Sequence, residues 1–230
     1  MAKKHLKFGL HLSFATTQAG PRGGLALWAN RKHELVPGST RESNPAGHVL
    51  GGVYKLFGSQ HKAIVIGVYG IPDSNDTSSL QIMQETQRIL DDLKFLYGSS
   101  TIFVFGDFNA VRTQADTTSP RITKPRTSQA FNDLIDRNFL NDLGLALGKA
   151  KHTWQRPRNE EQTSRLDYFL TTAAPQTAKF KQFKTIFDHD MLLVTVNIQP
   201  AEFAPSVMQD HVLSSDEFLI GTFEIFSAVE

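Results

Sequence analysis

The chain has no cysteine. That excludes a disulfide framework and any thiolate metal centre, and it leaves carboxylate, imidazole and amide groups, the ligands suited to hard ions such as magnesium. Net charge is nearly absent as well: 24 Lys and Arg face 23 Asp and Glu. No overall basic field announces a nucleic-acid partner, so any such surface has to be a local patch. No apolar run is long enough to span a bilayer, and Met1-Ala2-Lys3-Lys4-His5 does not lead into the apolar stretch of a secretory signal. Residues 1–20 contain no acidic residue, but Lys rather than Arg dominates there, which argues against an organellar transit segment. These absences predict an intracellular protein of the nucleus or cytoplasm. Internal repeats and Gly/Ser-rich linkers are missing too, so nothing divides the chain.

What is present suffices for one domain. In 230 residues, 40% are hydrophobic, enough for a sizeable core. After Gly20-Pro21-Arg22-Gly23-Gly24, residues 25–29 read as a strand. Residues 53–57 and 63–69 bracket Gly58-Ser59-Gln60-His61-Lys62 as a hairpin with a five-residue loop. A turn at 72–76 leads to a helix over 79–96, in which Ile82, Ile89, Leu93 and Leu96 keep a period near 3.6. The apolar run Thr101-Ile102-Phe103-Val104-Phe105 reads as a buried strand. A loop over 111–128 then precedes a helix through Phe131, Leu134 and Ile135, closed by Asn141-Asp142-Leu143-Gly144. Residues 153–154, 166–170 and 191–196 complete the strands.

Strand pairs joined by crossover helices predict an α/β sandwich of two packed sheets flanked by helices. The organisation expected is a segment 1–20, a domain 21–200 and an apolar tail 201–230. In the first segment Leu6, Phe8, Leu10, Leu12 and Phe14 alternate with Lys7, Gly9, His11 and Ser13, a period of two that predicts a half-buried edge strand. The tail suits a helix docked on the same core or a surface that receives another chain.

Chemistry gathers at three places. In Gly106-Asp107-Phe108-Asn109 a carboxylate and a carboxamide succeed the apolar strand, where α/β folds place their reacting groups, and Gly106 lets the backbone turn. Ser164-Arg165-Leu166-Asp167-Tyr168-Phe169-Leu170 and Phe187-Asp188-His189-Asp190 again set ionisable groups beside apolar strands. Singly, each has a plain structural reading: Asp167 as a strand-end turn residue, His189 as a loop histidine, Tyr69 as core, Asp190 as a solvated neighbour. Ser164 has no base at a spacing that would make it a nucleophile. Arg112, Arg121, Lys124 and Arg126 in the loop after Asn109 face only Asp116, while Trp154, Arg156 and Arg158 form a second patch. Such clusters predict salt-sensitive phosphate binding, or merely a solvated face.

The ordered set Gly106-Asp107-Phe108-Asn109, Ser164-Arg165-Leu166-Asp167-Tyr168 and Asp188-His189, with Val68-Tyr69 and Pro72 upstream, resembles the endonuclease/exonuclease/phosphatase superfamily, whose fold is DNase I-like. Within it, Gly23-Gly24-Leu25-Ala26, Asn141-Asp142-Leu143 and Thr153-Trp154 are similar to the apurinic-endonuclease-like domain of non-LTR (LINE-type) retrotransposons. The segment 208–218 resembles the stretch that leads from that domain toward the reverse transcriptase. The resemblance covers residues 20–225 and implies a divalent-metal-dependent phosphodiesterase that nicks DNA and uses Mg2+ or Mn2+. Asp107 would orient or deprotonate the attacking water, Asn109 and Tyr69 would hold the phosphate, Asp167 would fix the tautomer of His189 and raise its pKa, and Asp188 would be a metal ligand.

The sequence departs from that family in lacking the two strands ahead of the Gly-Gly strand, with their Asn and the Glu that is the principal metal ligand. Glu85 lies on a predicted helix in the wrong place, and Phe187 stands where the family usually has Ser or Thr. The expectation is therefore an N-terminally shortened fold whose metal site is weakened, with either residues 1–20 folded back as a replacement edge strand or a protein partner covering the exposed sheet. The alternative is a domesticated, inactive module acting as a structural or interaction subunit. A phosphatase for lipid or sugar phosphates shares the motifs but not the retrotransposon-like link.

Overall fold

The computed structural model describes residues 8–13, 16–17, 20–21, 25–30, 33–44, 47–56, 61–71, 76–98, 100–156 and 159–197. The expectations for Leu6, Phe14, Gly23, Gly24, Pro72, Arg158 and the tail 201–230 lie outside the described residues. In chain order the elements are β1 (Phe8–Ser13), β2 (Thr16–Thr17), β3 (Gly20–Pro21), β4 (Leu25–Asn30), β5 (Glu34–Leu35) and β6 (Arg41–Glu42). Next come β7 (Val49–Lys55), β8 (Lys62–Tyr69), α1 (Asp76–Tyr97), β9 (Thr101–Asp107) and α2 (Pro125–Arg137). They lead to β10 (Asn141–Asp142), α3 (Leu143–Ala146), β11 (Trp154–Arg156) and β12 (Asn159–Ser164). The last are β13 (Asp167–Thr171), β14 (Ala178–Phe183) and β15 (Met191–Val196).

The main sheet has the order β10-β13-β9-β8-β7-β5, with β6 also on β7. Its one parallel pair among these, β8 with β9, needs a crossover, and α1 supplies it. Alternation along β9 decides the two cores. Ile102 and Val104 face Ile82, Ile89 and Leu93 of α1 and Phe131, Leu134 and Ile135 of α2. Phe103 and Phe105 face the other way, toward Leu25 and Leu27 of β4, Phe180 of β14 and Val194 of β15. Burial on both faces is why this strand reads as one apolar run.

The second layer comes in pieces. β1 pairs antiparallel with β4, and β14 with β15, each as a two-stranded sheet. The result is the mixed α/β sandwich flanked by helices that the sequence predicts. Differences are local. α2 begins at Pro125, inside the expected loop, because Pro is tolerated at a first helical position. Asn141-Asp142 does not merely end a helix: it pairs with β13, and Asp142 then caps α3 by accepting from the Leu145 N–H at 3.2 Å. β2, β3, β5, β6, β12 and β14 are additions to the strands the sequence predicts.

Candidate active site

Three strand ends put the site together. Asp107 ends β9 and lies opposite Asp167, the first residue of antiparallel β13, while Tyr69 ends β8 in register with Asp107 on the other side. Two carboxylates directly opposite one another repel, so local sheet stability alone would not select them. Both are buried.

The turn after β9 fixes Asp107. Gly106 has φ +136°, and a Cβ there would meet the Val68 carbonyl oxygen at 2.0 Å, so only glycine fits. The Gly70 N–H donates to the Asp107 carbonyl at 2.7 Å, which brings the β8 and β9 ends together. Asn109, in the left-handed region at φ +46°, donates its backbone N–H to Asp107 Oδ1 at 2.8 Å and its amide Nδ2 to Oδ2 at 2.5 Å. The same amide also donates to the Gly70 carbonyl at 3.1 Å.

His189 arrives from the segment before β15. Its Nδ1 donates to Asp167 Oδ2 at 2.8 Å, and its Nε2 lies 3.9 Å from Asp107 Oδ2, beyond direct hydrogen bonding. A carboxylate only accepts, so Nδ1 carries the proton and Nε2 faces Asp107. Thr153, to which the sequence assigns no chemical role, clamps the pair. Its hydroxyl oxygen accepts from the N–H groups of Leu166 and Asp167 at 3.0 Å each, and its carbonyl accepts from the Asp190 N–H at 2.7 Å. A small hydroxyl residue before an aromatic gives little sequence signal for such a task.

Asp188 lies on the cleft wall, where its Oδ2 accepts from the Trp154 indole Nε1 at 3.0 Å. Asp190 is not a solvated neighbour. It is buried, accepting from Gln182 Nε2 at 2.7 Å and from Lys184 Nζ at 3.1 Å. Tyr69 is half-buried, packs on the second-layer core and lies parallel to the His48 ring with centroids 6.0 Å apart. Ser164 shares a 2.8 Å hydrogen bond with the Thr117 hydroxyl, a supporting role.

A cleft of about 400 Å3 opens beside the dyad, with Asn109, Lys124, Arg121, Trp154, Asp188 and His189 in its wall. The basic residues divide. Lys124 Nζ donates to the Ile71 carbonyl at 2.8 Å and the Asn109 carbonyl at 3.1 Å, tying the two turns together. Arg112 is drawn inward, bonded to Asp142 at 2.9 Å and Asn132 at 3.1 Å, so it is an internal tie rather than a phosphate contact. Arg126 lies in the groove between α1 and α2, and Arg156 is exposed, bonded to Gln162 at 2.7 Å. Neither is part of the cleft wall. Asp116, expected to oppose that loop, instead pairs with buried Arg165 at 2.7 Å, and Asp142 joins them at 2.9 Å. Burial works against the Arg165 charge, yet Asp142, Tyr168 and Asp116 outweigh it and raise its pKa. Arg165 also lies 4.4 Å over the Tyr168 ring, whose hydroxyl burial pushes far above its ordinary range.

Asp107, Asp167 and His189 offer ligand atoms within 4.8 Å of one another. Two carboxylates and an imidazole fit a hard divalent ion such as magnesium, which takes one or two protein carboxylates and completes its shell with water and phosphate oxygens. Asp188 is outside that group. Glu85 is remote, bonded to Arg88 at 2.9 Å and to the Asn44 N–H at 3.3 Å.

No protein-family model matches the sequence, and no curated protein matches it. Among solved structures, AP endonuclease LMAP from Leishmania major is similar at TM-score 0.52 and 14% identity, over 66% of this chain and 55% of that one. This chain thus spans little more than half of that structure. Truncated TDP2 from Caenorhabditis elegans is similar at TM-score 0.55 and 10% identity, over 81% of this chain and 74% of that one. With the sheet order, the helices of one face and the site at the strand ends, these likenesses establish that the chain has the DNase I-like α/β fold.

Proposed function

We propose that the chain is a divalent-metal-dependent phosphodiesterase that nicks DNA and derives from a non-LTR retrotransposon endonuclease. The observation that carries the reading is the Asp167–His189 pair facing an Asp107 whose two oxygens are both held by Asn109. Asp107 would hold Mg2+ or Mn2+, which would supply charge stabilisation on the phosphate, while Asp188, bonded to Trp154 on the cleft wall, stands outside that ligand group.

The protein's own groups do the rest. Asp107 accepts the proton of the attacking water as its oxygen bonds to phosphorus, and the bond to the 3′ oxygen breaks, leaving a 5′ phosphate and a 3′ hydroxyl that takes its proton from solvent. Asn109 keeps Asp107 aimed. Asp167 accepts from Nδ1 of His189 and its charge favours the doubly protonated ring, so that Nε2 also carries a proton and donates it in a hydrogen bond to a phosphate oxygen as negative charge develops there. Arg121 and Lys124 attract the backbone without reading sequence.

Purified chain is expected to nick supercoiled plasmid in magnesium or manganese and to stop on chelation, with His189→Ala slower by about a hundredfold or more. Among the described residues no glutamate joins the Asp107 group, and this favours a second reading, a domesticated, impaired module that docks on a partner. Equal background from wild type and His189→Ala supports that second reading and overturns the first.

A further inference from the structure

The segment between β14 and β15 carries apolar side chains in solvent beside the catalytic pair. Ile186 is 95% exposed and Phe187 61%, with Phe183 behind them at 40%. The loop that presents them is well tied. The Thr185 hydroxyl donates to the His189 carbonyl, the Phe187 N–H donates to Thr185 Oγ1 at 3.1 Å, and Lys184 pairs with buried Asp190 at 3.1 Å. An exposed apolar tip on a fixed base is a contact surface for something.

Its neighbours say what. Lys179, Lys181 and Lys184 precede the tip, and residues 175–187 contain no acidic side chain. Arg121 and Lys124 lie in the wall of the cleft that Asp188 and His189 also line. A basic rim suits a polyanion rather than an apolar protein face. The spacing agrees as well. Phe187 is two residues from His189, at most about 7 Å along the chain, which corresponds to about two base steps at 3.4 Å each.

We propose that Ile186 and Phe187 form a wedge that enters duplex DNA between base pairs next to the scissile phosphate, so that the substrate is a duplex unstacked and kinked at that step. This rests on the reading of the cleft as a DNA phosphodiester site. Branched aliphatic and aromatic side chains are the kind that part a base step from the minor groove, and the unstacking is compensated by the longer contact a bent duplex makes. The wedge also accounts for Phe187 before Asp-His, where a hydroxyl residue would bind but could not part a step.

The experiment uses the full chain in EDTA, so that binding is read without cleavage and stands even if hydrolysis fails. A duplex carrying 2-aminopurine at successive positions is titrated with wild type, with an Ile186→Ser/Phe187→Ser double variant and with Phe187→Trp. Wild type is expected to raise 2-aminopurine fluorescence at one step, the double variant to lose that signal and bind about tenfold or more weakly, and Phe187→Trp to keep it. Equal affinity and equal fluorescence for wild type and the double variant overturn the proposal. So does a weaker affinity with the fluorescence retained, which assigns the tip to backbone contact. A wild-type response to single strands but not to duplex overturns the duplex assignment, and loss of self-association in the double variant without change in DNA binding assigns the tip to a protein contact.

Discussion

At the scale of single residues, the site is a matter of backbone conformation before it is one of charge. Asp107 is held beside His189 by a turn in which Gly106 adopts φ +136° and Asn109 adopts φ +46°. Ala in place of Gly106 would put a Cβ 2.0 Å from the Val68 carbonyl oxygen and also hold a side chain in a region it rarely adopts. Gly106→Ala is expected to lose about 3 kcal/mol or more, read as a lowered midpoint in urea unfolding. The Asp167 carboxylate has a subtler task. Asp167→Asn preserves shape but removes the negative charge that favours the doubly protonated ring, the form in which Nδ1 stays bonded to residue 167 while Nε2 donates to the phosphate. The expected outcome is about a hundredfold slower nicking with unchanged thermal unfolding and an altered pH–rate profile; an unchanged profile would show that Asp167 does not act through His189.

At the scale of elements, the start of α2 depends on another helix. Lys124 at its N-cap makes no side-chain cap bond, and Asp76 from the start of α1 supplies it instead. The Asp76 carboxylate accepts from the Arg126 N–H at 2.9 Å, the Thr127 N–H at 2.8 Å and the Thr127 hydroxyl at 2.7 Å. Partial desolvation works to raise the Asp76 pKa, but these donors win and lower it. A lowered folded pKa means stabilisation that is full above the unfolded value near 3.9 and disappears as pH falls through the folded one. Asp76→Ala should cost about 1 kcal/mol at pH 7 in urea unfolding, with the difference from wild type shrinking toward pH 2; a constant difference would deny the cap its charge. This link also marks how far sequence reaches. α1 and β9 are legible because long periodic and apolar runs override local detail. Asn159-Glu160-Glu161-Gln162-Thr163-Ser164 gives no strand signal because β12 has no apolar alternation and is defined by its pairing with β11. The pairing of Asp167 with His189 can be read from the motifs. The inward turn of Arg112 cannot, because its partner Asp142 is thirty positions away in sequence.

At the scale of the whole molecule, the second layer is where stability is most exposed to loss. Leu25 and Leu27 of β4 are buried against the sheet, and Leu27 lies against Gly67, where an added Cβ would be 3.1 Å from its methyl group. Burying two leucines contributes about 3–6 kcal/mol, a large part of the 5–15 kcal/mol typical of a domain. β4 keeps them in place only as a paired strand, and its partner is β1, matched residue for residue from Phe8 with Asn30 to Ser13 with Leu25. Removing residues 1–15 would leave β4 with a free edge that frays or pairs with another chain. The truncated chain is therefore expected to unfold about 5 °C or more below the full chain in a thermal scan, and to elute partly as oligomer. Leu10→Pro, which removes one N–H from the ladder while keeping the length, should shift unfolding in the same direction by a smaller amount. Unchanged unfolding and a monomeric elution volume in both variants would show that β4 is held by the main sheet alone and that the first strand adds nothing to the fold.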